Sequence, residues 1–427
     1  MKGGTFVILL LLGVWLFAVQ PAQATIDATL QLQLGNPSGA TADANNHDHY
    51  LIQRTVEAID FSDNLGEPVW ASWDLTATDV GSATRSTSYY TDTNLPAGFY
   101  RVTDTDYNGV GTIDFNRGHM CPSEDRTDTV ADNKLVFFLS NIVPQSGPNN
   151  QGVWANLETF CRSMLTTNEL LITCGPSGFG TNKIPSGKAY IASNVWKIVV
   201  CVPLGSGTAL SRLNATNRVI AVSIPNVTNG LSSTWQNYLT SPRQIEQDTG
   251  FTFFTAVPAN IATVFRAKVD GSPMPGITNV SPASGSVGSA VVIKGTNFSG
   301  ASAVWFNGTN AAFSFNSGNQ ITAIVPAGAA NGPVAVVTPG GLAVSVGSFI
   351  VTTASLPAVA PSFSSVTFST SQFGFTVTGT AGSNYVVQAS TSLSSANWIS
   401  LLTNAAPFVF IETNVFSQRF YRSMVAP

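Results

Sequence analysis

The sequence predicts a multidomain protein in which an α+β domain precedes two all-β sandwiches. Its 427 residues allow two to four domains. Helical and strand patterns alternate up to about residue 270, and only short strand patterns follow. Stretches rich in proline, glycine and small residues, at 271–276 and 352–361, separate the parts. We place the domains at residues 25–270, 275–353 and 360–427, after a separate segment 1–24.

Residues 1–24 have the pattern of a secretory signal. Lys2 supplies a positive start, Phe6 to Val19 is apolar, and Ala22-Gln23-Ala24 is a small-x-small cleavage site. The apolar run is too short to span a bilayer comfortably, so an uncleaved membrane anchor is the less favoured alternative. We expect a secreted protein, extracellular or periplasmic, with no transmembrane segment in the mature chain.

The charge balance argues against tight binding of nucleic acid through bulk positive potential. The chain has 19 basic and 23 acidic residues. Without Lys2 and the four charged residues after residue 270, 15 basic and 22 acidic residues remain, a net charge of −7 for the first domain. If this domain acts on a polyanion, a few local arginines and a bound cation must attract the phosphate.

Apolar spacing predicts the main elements of the first domain. Alternation predicts strands at Tyr50–Ala58 and Val69–Leu75, and apolar, β-branched runs predict strands at Leu170–Cys174 and Val195–Pro203. In Gln151–Leu165 apolar residues recur every three or four positions, which predicts an amphipathic helix. Two further short helices are predicted, at Trp235–Tyr238 and Pro242–Thr249.

Two polar motifs stand out in this domain. The first runs from Asn116 to Thr127 and contains His119, one of only three histidines in the chain. The second begins with Asn141-Ile-Val-Pro-Gln145 and continues from Asn150 to Glu158. Eight residues are about two helical turns, so Asn150 and Glu158 fall on one face of the predicted helix.

In order and spacing, these motifs resemble the DNA/RNA non-specific endonucleases of the ββα-metal (His-Me finger) class. The resemblance implies an endonuclease that hydrolyses phosphodiester bonds of DNA and RNA and leaves 5′-phosphate ends. It also implies that His119 is the general base, a role that suits an imidazole near neutral pH. By the same resemblance Asn150 binds one Mg²⁺, with Mn²⁺ as the alternative ion, and Glu158 and Asn141 hold metal-bound water.

Arginines complete the resemblance. Arg117 is the motif arginine, and Arg85, in the run from Thr84 to Pro96, matches an upstream family arginine that stabilises the transition state. A guanidinium fork suits two phosphate oxygens. Arg126 and Arg162 are weaker candidates, expected at the surface or behind the site.

One position departs from the family pattern. The motif usually begins with Asp, whereas Asn116 stands here. Asn keeps the size and acceptor geometry of Asp but lacks its charge. Together with the acidic first domain, this leaves a second interpretation open, in which a catalytically impaired fold serves as a surface adhesin or glycan-binding protein.

Two other histidines and one tryptophan have weaker signals. His47 and His49 could form a second metal site, but polar residues at the start of the first strand are the favoured interpretation. Trp154 is predicted to lie in the core on a helix face, not to stack on a base.

The four cysteines, at 121, 161, 174 and 201, all lie in the first domain. Export makes disulfides plausible, and three pairings can be drawn. We expect Cys121–Cys161 and Cys174–Cys201, with buried free thiols as an equally weighted alternative. A zinc site is not favoured, since the chain lacks a Cys-x-x-Cys spacing.

The remaining two domains read as immunoglobulin-like sandwiches without catalytic residues. Residues 275–353 contain short strands bounded by glycine and asparagine and are similar to IPT/TIG domains. Residues 360–427 more loosely resemble C-terminal β-sandwich modules of bacterial secreted proteins. These domains could bind a glycan or the cell envelope, or act as spacers.

Overall fold

The computed structural model describes residues 30–352, 359–394, 397–414 and 416–426. The predicted signal segment therefore lies outside the described residues. The chain forms two units, one ending at Val351 and the other beginning at Thr352. The first unit contains an α+β domain and a β-sandwich, and the second contains a smaller β-sandwich. The predicted fold class is confirmed.

The first domain has eight strands and five α-helices among its described residues. The strands are β1 (Tyr50–Gln53), β2 (Ala58–Ser62), β3 (Glu67–Leu75), β4 (Phe115–His119), β5 (Ile142–Ser146), β6 (Asn168–Lys183), β7 (Tyr190–Pro203) and β8 (Arg218–Pro225). The helices are α1 (Val130–Leu135), α2 (Ala155–Ser163), α3 (Ala209–Arg212), α4 (Pro242–Thr249) and α5 (Ala259–Ala267). A π-helical segment, Pro148–Trp154, precedes α2, and short 3₁₀ turns occupy Leu30–Leu32, Ala77–Asp79, Asp104–Tyr107, Val110–Ile113, Ser123–Asp125, Leu139–Asn141 and Trp235–Tyr238.

Six strands form one antiparallel sheet in the order β1-β2-β3-β6-β7-β8. Successive side chains of a strand point to opposite faces, and in β7 Val195 and Val199 enter one core while Trp196 and Ile198 enter the other. Helices α4 and α5 cover the second face. The pair β4–β5 and helix α2 cover the first face, which is where both polar motifs lie.

Most predicted elements of this domain are confirmed, but one strand is wrong. Tyr50–Ala58 was expected to be continuous, and the structure divides it into β1 and β2. A turn intervenes, in which the Arg54 amide donates to the Glu57 carbonyl (2.9 Å) and the Arg54 guanidinium pairs with the Glu57 carboxylate (2.6 Å). The turn is closed by a buried ion pair between Arg54 and Glu57. The alternation of apolar residues carries no information about such a pair, so it did not show the turn.

The second domain is a sandwich of two sheets. Its strands are β9 (Gly276–Ser281), β10 (Ser284–Ser286), β11 (Ala290–Thr296), β12 (Ala303–Phe306), β13 (Thr309–Ala311), β14 (Phe313–Ser317), β15 (Gln320–Ile324), β16 (Gly332–Thr338) and β17 (Gly341–Thr352). The sheet orders are β10-β17-β16-β12-β13 and β14-β15-β11-β9. Alternate residues such as Val291, Ile293, Val304 and Val336 are fully buried between the sheets.

The first two domains share a small apolar contact. Val264 and Ala267 of α5 pack with Ala303 and Val337 of the second domain. Val269 donates its amide to the Pro339 carbonyl at 2.9 Å. The predicted linker 271–276 therefore joins two domains that are in direct contact.

The third domain contains two three-stranded sheets. Its strands are β18 (Ser362–Phe368), β19 (Phe373–Thr378), β20 (Asn384–Ser390), β21 (Ile399–Ala405), β22 (Phe408–Glu412) and β23 (Phe420–Val425), in the orders β18-β19-β22 and β21-β20-β23. Phe375, Val377, Tyr385 and Val387 form its core.

None of the described helices in the protein has the length and apolarity needed to cross a membrane.

All four cysteines are buried free thiols, so the pairings Cys121–Cys161 and Cys174–Cys201 are wrong and the equally weighted alternative is confirmed. Cys174 pairs with Lys197 across β6–β7, whereas Cys201 pairs with Leu170. The two cysteines are thus offset by four residues, roughly 13 Å along the strands, and a disulfide needs Cα atoms within about 7 Å. The Cys174 thiol instead lies 3.8 Å from the Met120 sulfur.

His47 and His49 do not form a joint site. The Nδ1 atom of His47 lies 2.9 Å from Asp63, and that of His49 lies 2.8 Å from Asp60. His47 also stacks on Phe99, in the core of one sheet face. Each ring lies beside its own carboxylate, and both histidines precede β1.

Candidate active site

Strands β4 and β5 join the two motifs as a hairpin-like pair. Asn116 lies opposite Gln145, Gly118 opposite Val143 and His119 opposite Ile142. A Cβ atom on Gly118 would lie 2.1 Å from the Gln145 side-chain oxygen, so only glycine fits there. The motif glycine thus lets the Gln145 side chain cross the pair between Asn116 and His119.

The second motif continues from β5 into a helix that begins with π-helical geometry. Asn150 lies in the π-helical segment and Glu158 in the following α2. π-Helical segments are rare in proteins overall, but those that occur are often found at functional sites. Val153, Trp154 and Leu157 are buried and pack this helix against the core. The predicted helix is confirmed, and Trp154, 1% exposed, is a core residue as expected.

One cleft of about 510 Å³ brings five of the predicted residues together: Arg85, Arg117, His119, Asn150 and Glu158. They come from a loop before β4, from β4 itself and from the helix after β5. Tyr89, Asn116, Glu124 and Gln151 also line this cleft. The sequence motifs therefore meet at one place on the surface of the first domain.

His119 lies at the buried wall of the cleft, 8% exposed. Its ring packs edge-on against Phe137, with centroids 4.6 Å apart, and against Tyr89 at 5.6 Å. Burial, and next the positive charge of Arg85, lower the pKa of His119 from 6.5 to about 3. Its Nε2 atom has no hydrogen-bond partner within the described part of the chain. The imidazole is thus neutral at pH 7, and its Nε2 atom is buried within the fold.

Both cleft arginines are held by carboxylates and rings. Arg85 lies 3.6 Å from Glu124, and its guanidinium is above the Phe137 ring. Arg117 contacts Asp104 at 2.9 Å and lies above Tyr89. Glu124 and Asp104 are more than half exposed, so water screens both pairs and a phosphate can replace the carboxylates.

Asn116 fixes the orientation of the Asn150 amide. Its side-chain oxygen accepts hydrogen bonds from the Asn150 amide nitrogen at 3.2 Å and from the Gln151 amide nitrogen at 3.0 Å. With its nitrogen engaged, the Asn150 amide leaves its oxygen as the free ligand atom. An asparagine at position 116 therefore performs the acceptor role that an aspartate would perform.

Glu158 contacts a buried lysine that the sequence analysis did not single out. The Lys197 ammonium lies 3.5 Å from a Glu158 carboxylate oxygen. Burial raises the pKa of Glu158, and the Lys197 charge opposes that rise. Lys197 was detectable in principle, because it is a lone charged residue within the apolar run of β7.

Asn150 and Glu158 together offer one amide oxygen and one carboxylate. Hard cations such as Mg²⁺ accept such oxygen ligands and retain most of their water. No group of three or more His, Cys, Asp or Glu residues converges within the described ranges. The donor set thus fits a hydrated Mg²⁺ held by few protein atoms.

Asn141 lies outside the cleft lining and is fully buried. Its side-chain oxygen accepts from the Cys121 amide at 3.0 Å, and its nitrogen donates to the carbonyls of Cys121 and Val136 at 2.9 and 2.8 Å. The amide thus fixes the chain that follows His119. The structure does not bring Asn141 together with Asn150, and we leave it out of the proposed metal site.

The two weaker arginine candidates also lie outside the cleft lining. Arg126, 2% exposed, donates to the Val56 and Asp74 carbonyls, so it is neither a surface residue nor a phosphate ligand. Arg162 lies on α2, the helix that also carries Glu158, and pairs with Asp125 at 2.9 Å. Both arginines have structural partners.

Comparison with known proteins places the cleft in a recognised sequence family. Residues 36–260 match the family model of the DNA/RNA non-specific endonucleases, and residues 275–355 match that of the IPT/TIG domain. The first match contains every residue of the cleft.

Individual relatives agree with this assignment. A nuclease of Nostoc sp. is 39% identical over 243 residues, covering 57% of this chain and 86% of that protein. Nuclease C1 of Cunninghamella echinulata var. echinulata is 29% identical over 231 residues, covering 52% and 86%. The mitochondrial nuclease EXOG of Xenopus laevis is 29% identical over 201 residues, covering 44% and 53%. Among solved structures, a chain of the EndoG/EndoGI complex is 18% identical, with a TM-score of 0.47, and the match covers 57% of this chain and 97% of that one.

Proposed function

Because the chain belongs to the DNA/RNA non-specific endonuclease family, we propose that it cleaves DNA and RNA in the cleft described above, with Mg²⁺ bound at Asn150. The observation that carries this proposal is the convergence of Arg85, Arg117, His119, Asn150 and Glu158 on one cavity. These groups supply a base, two cations for phosphate and an oxygen site for a metal ion.

In the proposed reaction, His119 accepts a proton from the attacking water. The imidazole is neutral at pH 7, the form that can accept a proton, and the His119 side chain lines the cleft. Phe137 and Tyr89 hold the ring against rotation, which keeps the nitrogen directed at one position. Attack opposite the 3′ oxygen breaks the P–O3′ bond, and the departing 3′ oxygen takes a proton from solvent water. The products therefore carry a 5′ phosphate and a 3′ hydroxyl.

Arg85 and Arg117 bind the non-bridging phosphate oxygens. Each exchanges an exposed carboxylate partner for the phosphate, and the negative charge that accumulates in the transition state strengthens the contact. Because the first domain is acidic overall, these two local cations supply the attraction that bulk charge does not.

Asn150 would hold the metal ion through its side-chain oxygen, and Glu158 would orient water around it. When bound, Mg²⁺ would neutralise charge on the phosphate and on the departing oxygen. Asn116 accepts from the Asn150 amide nitrogen, which leaves the Asn150 oxygen available as a ligand atom. This hydrogen bond supports an active enzyme without the usual aspartate, in preference to an inactive adhesin.

The test is direct. Purified protein is incubated with plasmid, single-stranded DNA and RNA, with Mg²⁺, Mn²⁺ or EDTA, and with His119→Ala as the control. We expect all three substrates to be cut with metal and none with EDTA, and products that ligate without prior phosphorylation. Intact substrates under every metal condition, with a correctly folded protein, would reject the proposal.

We further propose export of the protein, on the basis of residues 1–24 alone. Mass spectrometry of protein from the culture supernatant should find a mature chain beginning at Thr25. Recovery of only full-length, cell-associated protein would contradict export. We assign no glycan or cell-envelope partner to the two sandwiches.

A further inference from the structure

A lysine lies buried in the middle of the central sheet. Lys197 of β7 is 1% exposed, between Cys174 of β6 and Val222 of β8. Burying an ammonium costs several kcal/mol unless a charged partner compensates it. The partners of Lys197 therefore show why the fold keeps a charge at this position.

Three groups surround the ammonium. A Glu158 oxygen lies 3.5 Å away, and the ring centroids of Trp154 and Trp73 lie at 4.3 and 5.4 Å. The nearby Asp125 already accepts from the Trp73 indole (3.2 Å) and from Arg162 (2.9 Å), one bond to each oxygen. Glu158 is consequently the carboxylate that compensates the Lys197 charge.

These contacts fall on the helix that carries the site. Trp154 lies four residues after Asn150 and four before Glu158, so Lys197 touches the turn between them and the carboxylate itself. Glu158 reaches the cleft with 13% of its side chain exposed. Lys197 thus connects the rigid sheet to the floor of the cleft.

We propose that Lys197 is a positioning residue for the metal site, holding Glu158 and the Asn150–Glu158 helix in register against the sheet. This inference rests on the proposed function. Outer partners of metal ligands commonly change metal affinity or activity by about 10- to 100-fold when they are removed. Lys197 touches neither the cleft surface nor the substrate, so its effect must pass through Glu158.

The test measures Mg²⁺ binding by calorimetry without nucleic acid, beside kcat and KM on DNA, for the full chain. We expect Lys197→Met to weaken Mg²⁺ binding and to lower kcat by roughly 10- to 100-fold each. KM for DNA should stay close to the wild-type value, and Lys197→Arg should recover part of the metal affinity. Lys268→Met is the matched control, since Lys268 is a buried lysine that bonds only carbonyls near the second domain.

A double-mutant cycle separates positioning from general stability. In the Glu158→Gln background, Lys197→Met should change Mg²⁺ affinity less than about twofold, and it should raise stability because it removes an unpaired buried charge. This arm also decides the question if Lys197→Met alone fails to fold.

Two failures can be told apart. If the wild type binds no Mg²⁺ and cuts no nucleic acid, the proposed function fails. If the wild type does both, but Lys197→Met binds Mg²⁺ normally or weakens binding equally in both backgrounds, the positioning role of Lys197 is overturned.

Discussion

The first and second domains use charge in opposite ways. Between residues 275 and 352 the second domain has a single charged residue, Lys294, and it is exposed. The first domain buries charges on several elements, among them Arg54, Glu57, Arg126 and Lys197. Since a buried charge is costly without a partner, the contrast indicates that the first domain retains these groups to fix polar geometry. The second domain needs only an apolar core.

From this difference between the domains, we expect the largest loss of stability when Arg126 is replaced. Its guanidinium donates to the Val56 carbonyl at 3.0 and 2.8 Å and to the Asp74 carbonyl at 2.6 Å. Arg126→Met removes these hydrogen bonds and the cation that lies 3.3 Å from the Asp79 carboxylate, so we expect a loss of about 3 to 5 kcal/mol in unfolding free energy. Lys294→Met, the exposed counterpart in the second domain, should change it by less than about 0.5 kcal/mol.

The unfolding free energy of both variants is measured by guanidinium chloride unfolding of the full chain, followed by hydrogen exchange of amides in the central sheet. Domains can unfold separately, so a probe inside the first domain is required. Similar, small losses in the two variants would show that the buried charges are not what fixes the first domain.

The second prediction compares two adjacent asparagines. Asn149 is fully buried, accepts from Gln145 at 2.8 Å and donates to the Pro225 carbonyl at 3.0 Å. Asn150 faces the cleft. We expect Asn150→Ala to lower kcat at least roughly 100-fold with little change in stability, and Asn149→Ala to cost about 1 to 3 kcal/mol of stability. Cleavage assays and thermal unfolding of both variants check this. If Asn149→Ala lost activity and Asn150→Ala lost only stability, Asn150 would not be the metal ligand.

The same pair shows what the sequence could predict. Asn150, Glu158, Arg117 and His119 were found because they stand in two compact motifs that resemble the family pattern. Spacing alone predicted the helix and placed Asn150 and Glu158 on one of its faces. The convergence of these residues on one cleft was an expectation from the resemblance.

Contacts between residues that are far apart in the sequence were beyond such reasoning. Lys197 meets Glu158 only because the β6–β7 register brings its strand beneath α2. Asn141 matches the family pattern, but its amide is consumed by backbone groups that sequence spacing does not reveal. The Cys174–Cys201 pairing failed for the same reason, since it depends on the register of β6 and β7.

A third prediction uses the pH dependence of stability. The folded-state pKa of His119 is about 3, below the ordinary 6.5, so unfolding takes up a proton between these values. Stability from this group is complete above pH 6.5 and is lost as the pH falls toward 3. Each pKa unit is worth about 1.4 kcal/mol, so His119→Phe should gain about 3 kcal/mol relative to wild type between pH 7 and 4.5. Urea unfolding of both proteins at several pH values measures this difference. If the unfolding free energies of the two proteins changed equally with pH over that range, His119 would have an ordinary pKa and would be exposed to water.

The smallest effect concerns a charge that the first domain leaves exposed. Arg85 and Glu124 are about half exposed and 3.6 Å apart, so their mutual attraction is weak. Glu124→Gln frees Arg85 for phosphate, and we expect KM for DNA to fall roughly two- to threefold at low salt with kcat unchanged. The gain should vanish in high salt, because mobile ions screen exposed charges. Asp43→Asn, an exposed loop carboxylate remote from the cleft lining, should leave KM unaltered. If both variants lowered KM equally, net charge, and not the carboxylate beside Arg85, would control the approach of nucleic acid.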